Sequence, residues 1–243
     1  MIPASAGSPE SATHDAPLVT IEIDPGADPP AAWPAAPLTV RRGELAVVTG
    51  PAGCGKSHLL RAAAGLAVDA GRRALVAHHE LGTLSVRRRR ATLAALRLFY
   101  LPQDPPLVSN LNVLDNLLLP IRWLGERDEA EAIEEAHRLL GASGIAWAAA
   151  ALPSRLSDED RRTAALLRGF LRRPAIALLD RPFLGLDDDR RAGVLPLIRG
   201  ALVETGCAIL ATSSSLNGFE GLSPREIRMP ARHAPGAPPG APA

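Results

Sequence analysis

"GPAGCGKS", residues 50–57, matches the pattern G-x-x-x-x-G-K-[ST]. Its flanks decide how it is read. "ELAVVTG" (44–50) is a short apolar strand ending on glycine, and "KSHLLRAAAGLAVDAG" (56–71) has helix composition and stops at Gly71. Strand, glycine-rich turn and helix form the setting in which this pattern cradles phosphate. Glycines let backbone N–H groups turn inward without a Cβ clash, and the helix start adds the positive end of its dipole. The candidate cradle is therefore Gly50, Pro51, Ala52, Gly53, Cys54, Gly55, Lys56 and Ser57. Lys56 is placed to reach the β- and γ-phosphates of ATP, and the Ser57 hydroxyl to bind Mg2+.

Such a loop needs a second metal partner at the end of a neighbouring strand. "AIALLD" (175–180) is an apolar run ending in a carboxylate, so Asp180 takes that part. Arg181 follows it directly, within "LLDRPFLGLD" (178–187).

Outward from these two anchors, strands and helices alternate. "LVTIEID" (18–24) and "PLTV" read as early strands, "RALVAH" (73–78) and "LRLFYLPQ" (96–103) as later ones. From 107 to about 172 the apolar spacing is helical, which reads as a helical insert. The strand pattern returns at 175–180, then a helix around 188–204, then "CAILATS" (207–213). This order predicts an α/β fold with a mainly parallel sheet, an N-terminal antiparallel portion and an inserted helical subdomain. The expected domain spans 17–229. Residues 1–16 and the tail 230–243 are read as disordered, because their Pro, Ala, Ser and Gly content buries too little apolar surface to offset ordering entropy.

Composition bounds the function. The chain has 243 residues, enough for a sizeable core, and 47% are apolar but only 3% aromatic, so that core is built of Ala, Leu and Val. A net charge of +1 gives no reason to expect a nucleic-acid partner. Two cysteines, Cys54 and Cys207, make no disulfide framework. No apolar run reaches the ~20 residues that span a bilayer, and the N-terminus lacks the basic start of a secretory signal. A cytoplasmic chain is the expectation.

Five stretches together resemble the nucleotide-binding subunit of an ABC transporter: "GPAGCGKS", Gln103 in "FYLPQ", "RLSDED" (155–160), "LLDRPFLGLD" and "ILATSSS" (209–215). All five stand in that family's order. The resemblance implies a head-to-tail dimer of cassettes, each ATP lying between one chain's P-loop and the other's signature helix. It further implies that Gln103 touches Mg2+ and the attacking water, that Asp187 faces the partner chain, and that a separately encoded membrane permease completes the transporter. The stretch "NVLDNLLLPIRW" looks somewhat like cassettes of lipid-trafficking importers of the mammalian-cell-entry type and is a candidate seat for a permease helix.

The departures from the family pattern all concern the γ-phosphate. Arg181 stands where the family has the glutamate that polarises water, and a guanidinium cannot accept a proton. Ser213 stands at the switch histidine. The signature Leu-Ser-Gly-Gly-Gln is replaced by Leu156-Ser157-Asp158-Glu159-Asp160. Three carboxylates suit a helix start capped by Ser157 but repel a triphosphate. At ~6 Å and an effective dielectric of ~20, each unit-charge pair costs about 3 kcal/mol before screening. No catalytic set is intact. The reading is an ATP–Mg2+ binding subunit with weak or absent hydrolysis. A nucleotide-sensing regulatory cassette and a soluble P-loop enzyme such as a kinase stay open as alternatives.

Other features have plainer readings. "RRRR" (87–90) forms a solvated face, and "HHE" (78–80) puts adjacent side chains on opposite faces of a strand, unsuited to a metal. Trp33 is the aromatic nearest the P-loop on its upstream side and is the candidate for stacking on adenine.

Overall fold

The computed structural model describes residues 18–23, 37–67, 72–125 and 127–231, so Trp33, the segment 1–16 and all but the first two residues of the tail 230–243 lie outside the described residues. An antiparallel sheet comes first in the chain. β1 (Val19–Ile23) pairs with β2 (Leu38–Val40) on one side and β4 (Arg72–Val76) on the other, and β5 (His79–Glu80) extends it. Ala77 and His78 adopt positive φ (45° and 67°) to make the β4–β5 turn, which ends the strand two residues before the sequence reading did.

The central sheet has five strands in the order β6 (Leu98–Leu101), β7 (Ile176–Asp180), β8 (Ala208–Thr212), β3 (Leu45–Thr49) and β9 (Arg225–Arg228), every neighbouring pair parallel. Three of them, β3, β7 and β8, are buried at every position. Side chains alternate between two cores, as the two-residue period of a strand requires. Val48, Leu178 and Leu210 enter one core with Leu59 and Leu60, while Val47, Leu179 and Ile209 enter the other with Phe170, Val194 and Ile198.

Helix α1 (Lys56–Ala63) covers the first face. It is shorter than its composition suggests, because Gly65 turns left-handed (φ 69°) and its N–H bonds the Ala62 carbonyl while Leu66 N–H bonds that of Arg61. A Cβ at Gly65 would stand 2.7 Å from the Leu81 Cβ, so only glycine closes the helix here. Helix α2 (Val86–Ala95) carries the four arginines, with Arg87, Arg88 and Arg90 exposed.

The helical portion comprises α3 (Val113–Leu124), α4 (Glu129–Ala142) and α5 (Asp158–Leu171) around their own core of Leu117, Leu118, Ala136, Leu140, Leu167 and Leu171. Helix α5 belongs to two cores: Leu167 and Leu171 face α3 and α4, while Leu166 and Phe170 face the sheet. It lies flush on β6, since a Cβ at Gly169 would fall 2.1 Å from the Phe99 ring. Helix α6 (Asp188–Val203) packs on the same sheet face through Val194 and Ile198.

Candidate functional site

Parallel strands end on one edge, and ligands of open α/β sheets gather outside that edge. Here β3 leads into Gly50, β6 into Gln103, β7 into Arg181 and β8 into Ser213. The tertiary fold thus collects segments from four distant parts of the chain.

The P-loop runs from the end of β3 to α1. Gly50, Gly53 and Gly55 all take positive φ (146°, 77° and 105°). Gly50 must stay bare: a Cβ would be 2.5 Å from the Met229 carbonyl, which follows β9. A Cβ at Gly53 would meet nothing within 4 Å, which marks the open side of the cradle. Gly55 precedes α1 in the left-handed region, and no side chain caps this helix end among the described residues. The first-turn N–H groups and the dipole therefore face outward, the arrangement that receives anions. Lys56 is buried, and its Nζ donates to the carbonyls of Gly50 (2.6 Å) and Pro51 (2.8 Å), drawing the loop closed over the ammonium. Cys54 is buried with its Sγ 3.5 Å from the same Nζ.

Asp180 is 2% exposed. The Thr212 hydroxyl donates to its Oδ1 at 2.6 Å, which leaves Oδ2 as the oxygen a cation could use. Sequence reasoning missed Thr212, although a lone hydroxyl closing the apolar run "AILAT" is the signal that could have found it. The same Thr212 holds the next residue: Arg181 N–H bonds both the Thr212 carbonyl (3.2 Å) and its Oγ1 (3.1 Å). Arg181 itself sits at φ 49°, a region costly for a residue with a side chain and kept only where its surroundings dictate it.

Arg162 on α5 supplies the rest of that constraint. It is buried, and its two terminal nitrogens donate to the carbonyls of Arg181 (3.1 Å) and Gln103. Burial lowers the Arg162 pKa from the ordinary arginine value, and Asp104, Asp180 and Asp158 oppose that shift; the guanidinium stays charged. Arg168, one turn and a half further along, donates to the Pro106 carbonyl at 2.8 Å. The loop holding Gln103 is fastened at its far end by the buried Asn116, which accepts from Val108 N–H (2.7 Å) and donates to the Val108, Leu111 and Asn112 carbonyls. Gln103 itself is exposed.

The signature segment is occupied by its own chain. Ser157 caps α5, accepting from Asp160 N–H at 3.0 Å and donating to Asp160 Oδ2 at 2.8 Å. Asp160 is buried, and Arg190 Nη2 lies 3.0 Å from its Oδ1. Glu159 Oε1 accepts the Asp187 N–H at 2.7 Å. Asp158 is exposed and pairs with Arg161. All three carboxylates have a partner within the chain, so the repulsion on a triphosphate is smaller than three unpaired charges would give. Asp187, in turn, caps α6 by accepting from Arg190 N–H at 2.8 Å. Arg190 also donates to the Ser143 and Gly144 carbonyls at the end of α4.

Comparison with known proteins agrees with this geometry. A profile of the ABC transporter family matches residues 35–184. The chain is 36% identical over 178 residues to a thiamine import ATP-binding protein of Cereibacter sphaeroides, covering 72% of each chain. It is 32% identical over 195 residues to the Salmonella typhimurium thiamine import ATP-binding protein, covering 78% of this chain and 77% of that one. An aliphatic sulfonates import ATP-binding protein of Nocardia farcinica is 30% identical over 190 residues, 78% of this chain and 68% of its own. Among solved structures, the ATP-binding subunit of an ABC transporter superposes with a TM-score of 0.72 at 22% identity, covering 87% of this chain and 85% of that one. A dimeric ATP-binding cassette in a post-hydrolysis state, bound to ADP and Pi, superposes at a TM-score of 0.73 with 19% identity, over 87% of this chain and 94% of that one. Matched over more than half its length and folded in the same way, the chain belongs to the ABC transporter family as an ATP-binding cassette.

Proposed function

We propose that this chain is the nucleotide-holding subunit of an ABC transporter. It binds ATP–Mg2+ at residues 50–57, acts with a separately encoded permease and a second cassette, and hydrolyses ATP weakly or not at all. The carrying observation is Arg181, locked in a left-handed conformation directly after Asp180 where a proton acceptor would be needed. Ser57, Gln103 and Asp180 offer a hydroxyl, an amide and one carboxylate. That set suits Mg2+, which keeps several waters and takes few protein ligands when phosphates are present. Among the described residues no helix is long and apolar enough to cross a membrane, so a place at the inner face of the membrane requires the permease. The relatives' names cite different cargoes, thiamine and aliphatic sulfonates, which fits a cassette that supplies nucleotide binding while other subunits choose cargo.

The test pairs two measurements on the purified chain. Labelled ATP with Mg2+ should bind saturably, and phosphate release should stay near background. Arg181→Glu should raise release by about tenfold, short of the ~10²–10⁴ a general base contributes, because the signature turn remains occupied. Wild-type turnover at the rate of an ordinary ATPase refutes the weak-hydrolysis reading. Retention of a membrane permease on the tagged chain after detergent solubilisation supports transport; capture of a soluble protein only, in an ATP-dependent way, supports the regulatory alternative instead.

A further inference from the structure

The run "RRRR" lies on helix α2, inside a stretch of one charge sign. Residues 81–103 hold five arginines and no carboxylate, although the whole chain carries a net charge of only +1. We infer that the outer face of α2 docks directly onto a bilayer surface rich in anionic lipid headgroups. In the function proposed above, the permease alone holds this chain at the membrane. The inference adds a contact of the cassette's own and does not depend on nucleotide binding.

Helical spacing divides α2 into two faces. Arg89, Leu93 and Leu96 recur at i, i+4 and i+7 and turn inward. Both leucines pack on the core that α1 covers, and the Arg89 guanidinium donates to the Gly65 carbonyl at 2.5 Å. Arg87, Arg88 and Arg90 are left on the outer face with Ala91 and Ala95, all five exposed. Among the described residues none of these three guanidinium groups has a hydrogen bond or an ion pair. The alanines between them are short, so the three charges are the outermost groups of the face.

Two aliphatic side chains project beside the charges. Val86 opens α2 and is 63% exposed, while Leu66, 49% exposed, directly follows the Gly65 whose carbonyl Arg89 holds. Val86 stands at i−3 and i−4 from Arg89 and Arg90, so both aliphatics belong to one end of the arginine face. Guanidinium groups flanked by projecting aliphatics match an anionic bilayer, where the charges meet headgroups and the aliphatics enter the boundary beneath them. A nucleic acid gains nothing from Val86 and Leu66 there, since it presents phosphate and sugar outward. An acidic peptide gains affinity from a groove or a free sheet edge, and a convex helix face offers neither. Charge and shape therefore both favour the lipid surface.

The probe is a vesicle of equal parts phosphatidylcholine and phosphatidylglycerol, mixed with the whole purified chain without permease and floated on a density gradient. The chain should float with these vesicles and not with pure phosphatidylcholine. Raising the salt from about 0.1 M to about 1 M, which shortens the Debye length from ~10 Å to ~3 Å, should release it. Each basic residue near such a surface is worth about fivefold, so the combined Arg87→Gln, Arg88→Gln and Arg90→Gln variant should bind on the order of 100-fold more weakly. Val86→Ser with Leu66→Ser should cost a few-fold. Arg42→Gln with Arg155→Gln removes exposed charges elsewhere and should leave uptake within about twofold, with thermal unfolding showing that each variant is folded. Should the triple variant not fold, Arg87→Gln alone should still weaken uptake about fivefold. No uptake on the anionic vesicles, equal uptake on neutral ones, full-strength uptake in the folded arginine variants, or an equal loss per charge in the Arg42 and Arg155 variant overturns the inference. So does tight capture of polyglutamate or duplex DNA by a chain that ignores the vesicles. Nucleotide affinity should be unchanged in the triple variant, so a failure of ATP to bind would count against the proposed function and leave the vesicle result to be judged by itself.

Discussion

Helix α1 begins with no side-chain cap among the described residues, and helix α5 begins with Ser157 accepting the Asp160 N–H. Both starts belong to the stretches whose resemblance to the family implies contact with phosphate. At α1, left-handed Gly55 leaves no side chain over the helix end, and Lys56 lies beneath the loop. At α5, Ser157 takes the Asp160 N–H, Asp160 takes Arg190, and Glu159 takes the Asp187 N–H. The first has the arrangement that receives negative charge. The second carries its negative charge in its own sequence and uses it to tie α5 to α6. On the function proposed above, the cassette would keep one half of the phosphate machinery, while the carboxylates at the start of α5 brace it against α6.

The comparison breaks most readily at Lys56. Lys56→Ala should weaken ATP binding by about 100-fold, the upper range for losing a charge-assisted contact, in a titration with labelled nucleotide. Unchanged affinity would mean that α1 is no receptor. The brace is tested at Asp160. Asp160→Ala leaves Arg190 without its carboxylate and should cost about 3 kcal/mol in denaturant unfolding. It should leave nucleotide affinity within about twofold, which separates brace from receptor.

Thr212→Val sharpens the picture at the shared edge. Valine keeps the shape but removes the donor to buried Asp180 and the acceptor for Arg181 N–H. A loss of about 2 kcal/mol in unfolding free energy is expected, with a weaker Mg2+ dependence of nucleotide binding. The effect that vanishes at neutral pH lies away from both helix starts. Burial pushes the Cys207 thiol up to about 12. Below pH 9 both folded and unfolded states keep that proton, so no pH dependence arises from it. Above pH 9 the unfolded chain releases the proton first, and stability should fall as pH rises toward 12. A Cys207→Ala variant should lack that part of the alkaline loss.

Much of the fold was legible because apolar runs and punctuation follow local rules. "AIALLD" and "CAILATS" read as buried strands, and they occupy β7 and β8. Helix α2 was seen only as a charge run, since it buries no side chain and so leaves no apolar period. Strand β9 was not read because its pattern, Arg-Glu-Ile-Arg, is that of a partly exposed edge strand. The braces Arg162 and Arg190 were also missed. A cation that bonds carbonyls far away in sequence leaves no local signature.

The sequence by itself determined the P-loop, the order of the family's motifs and the presence of an arginine, which cannot accept a proton, directly after Asp180, because these depend on which residue types stand next to one another. Tertiary structure alone decided what the three carboxylates of the signature do. Whether an aspartate repels a ligand or pairs with an arginine depends on what lies within a few ångströms of it. That is settled by how α5 packs between sheet, helical layer and α6, over separations the linear pattern does not record.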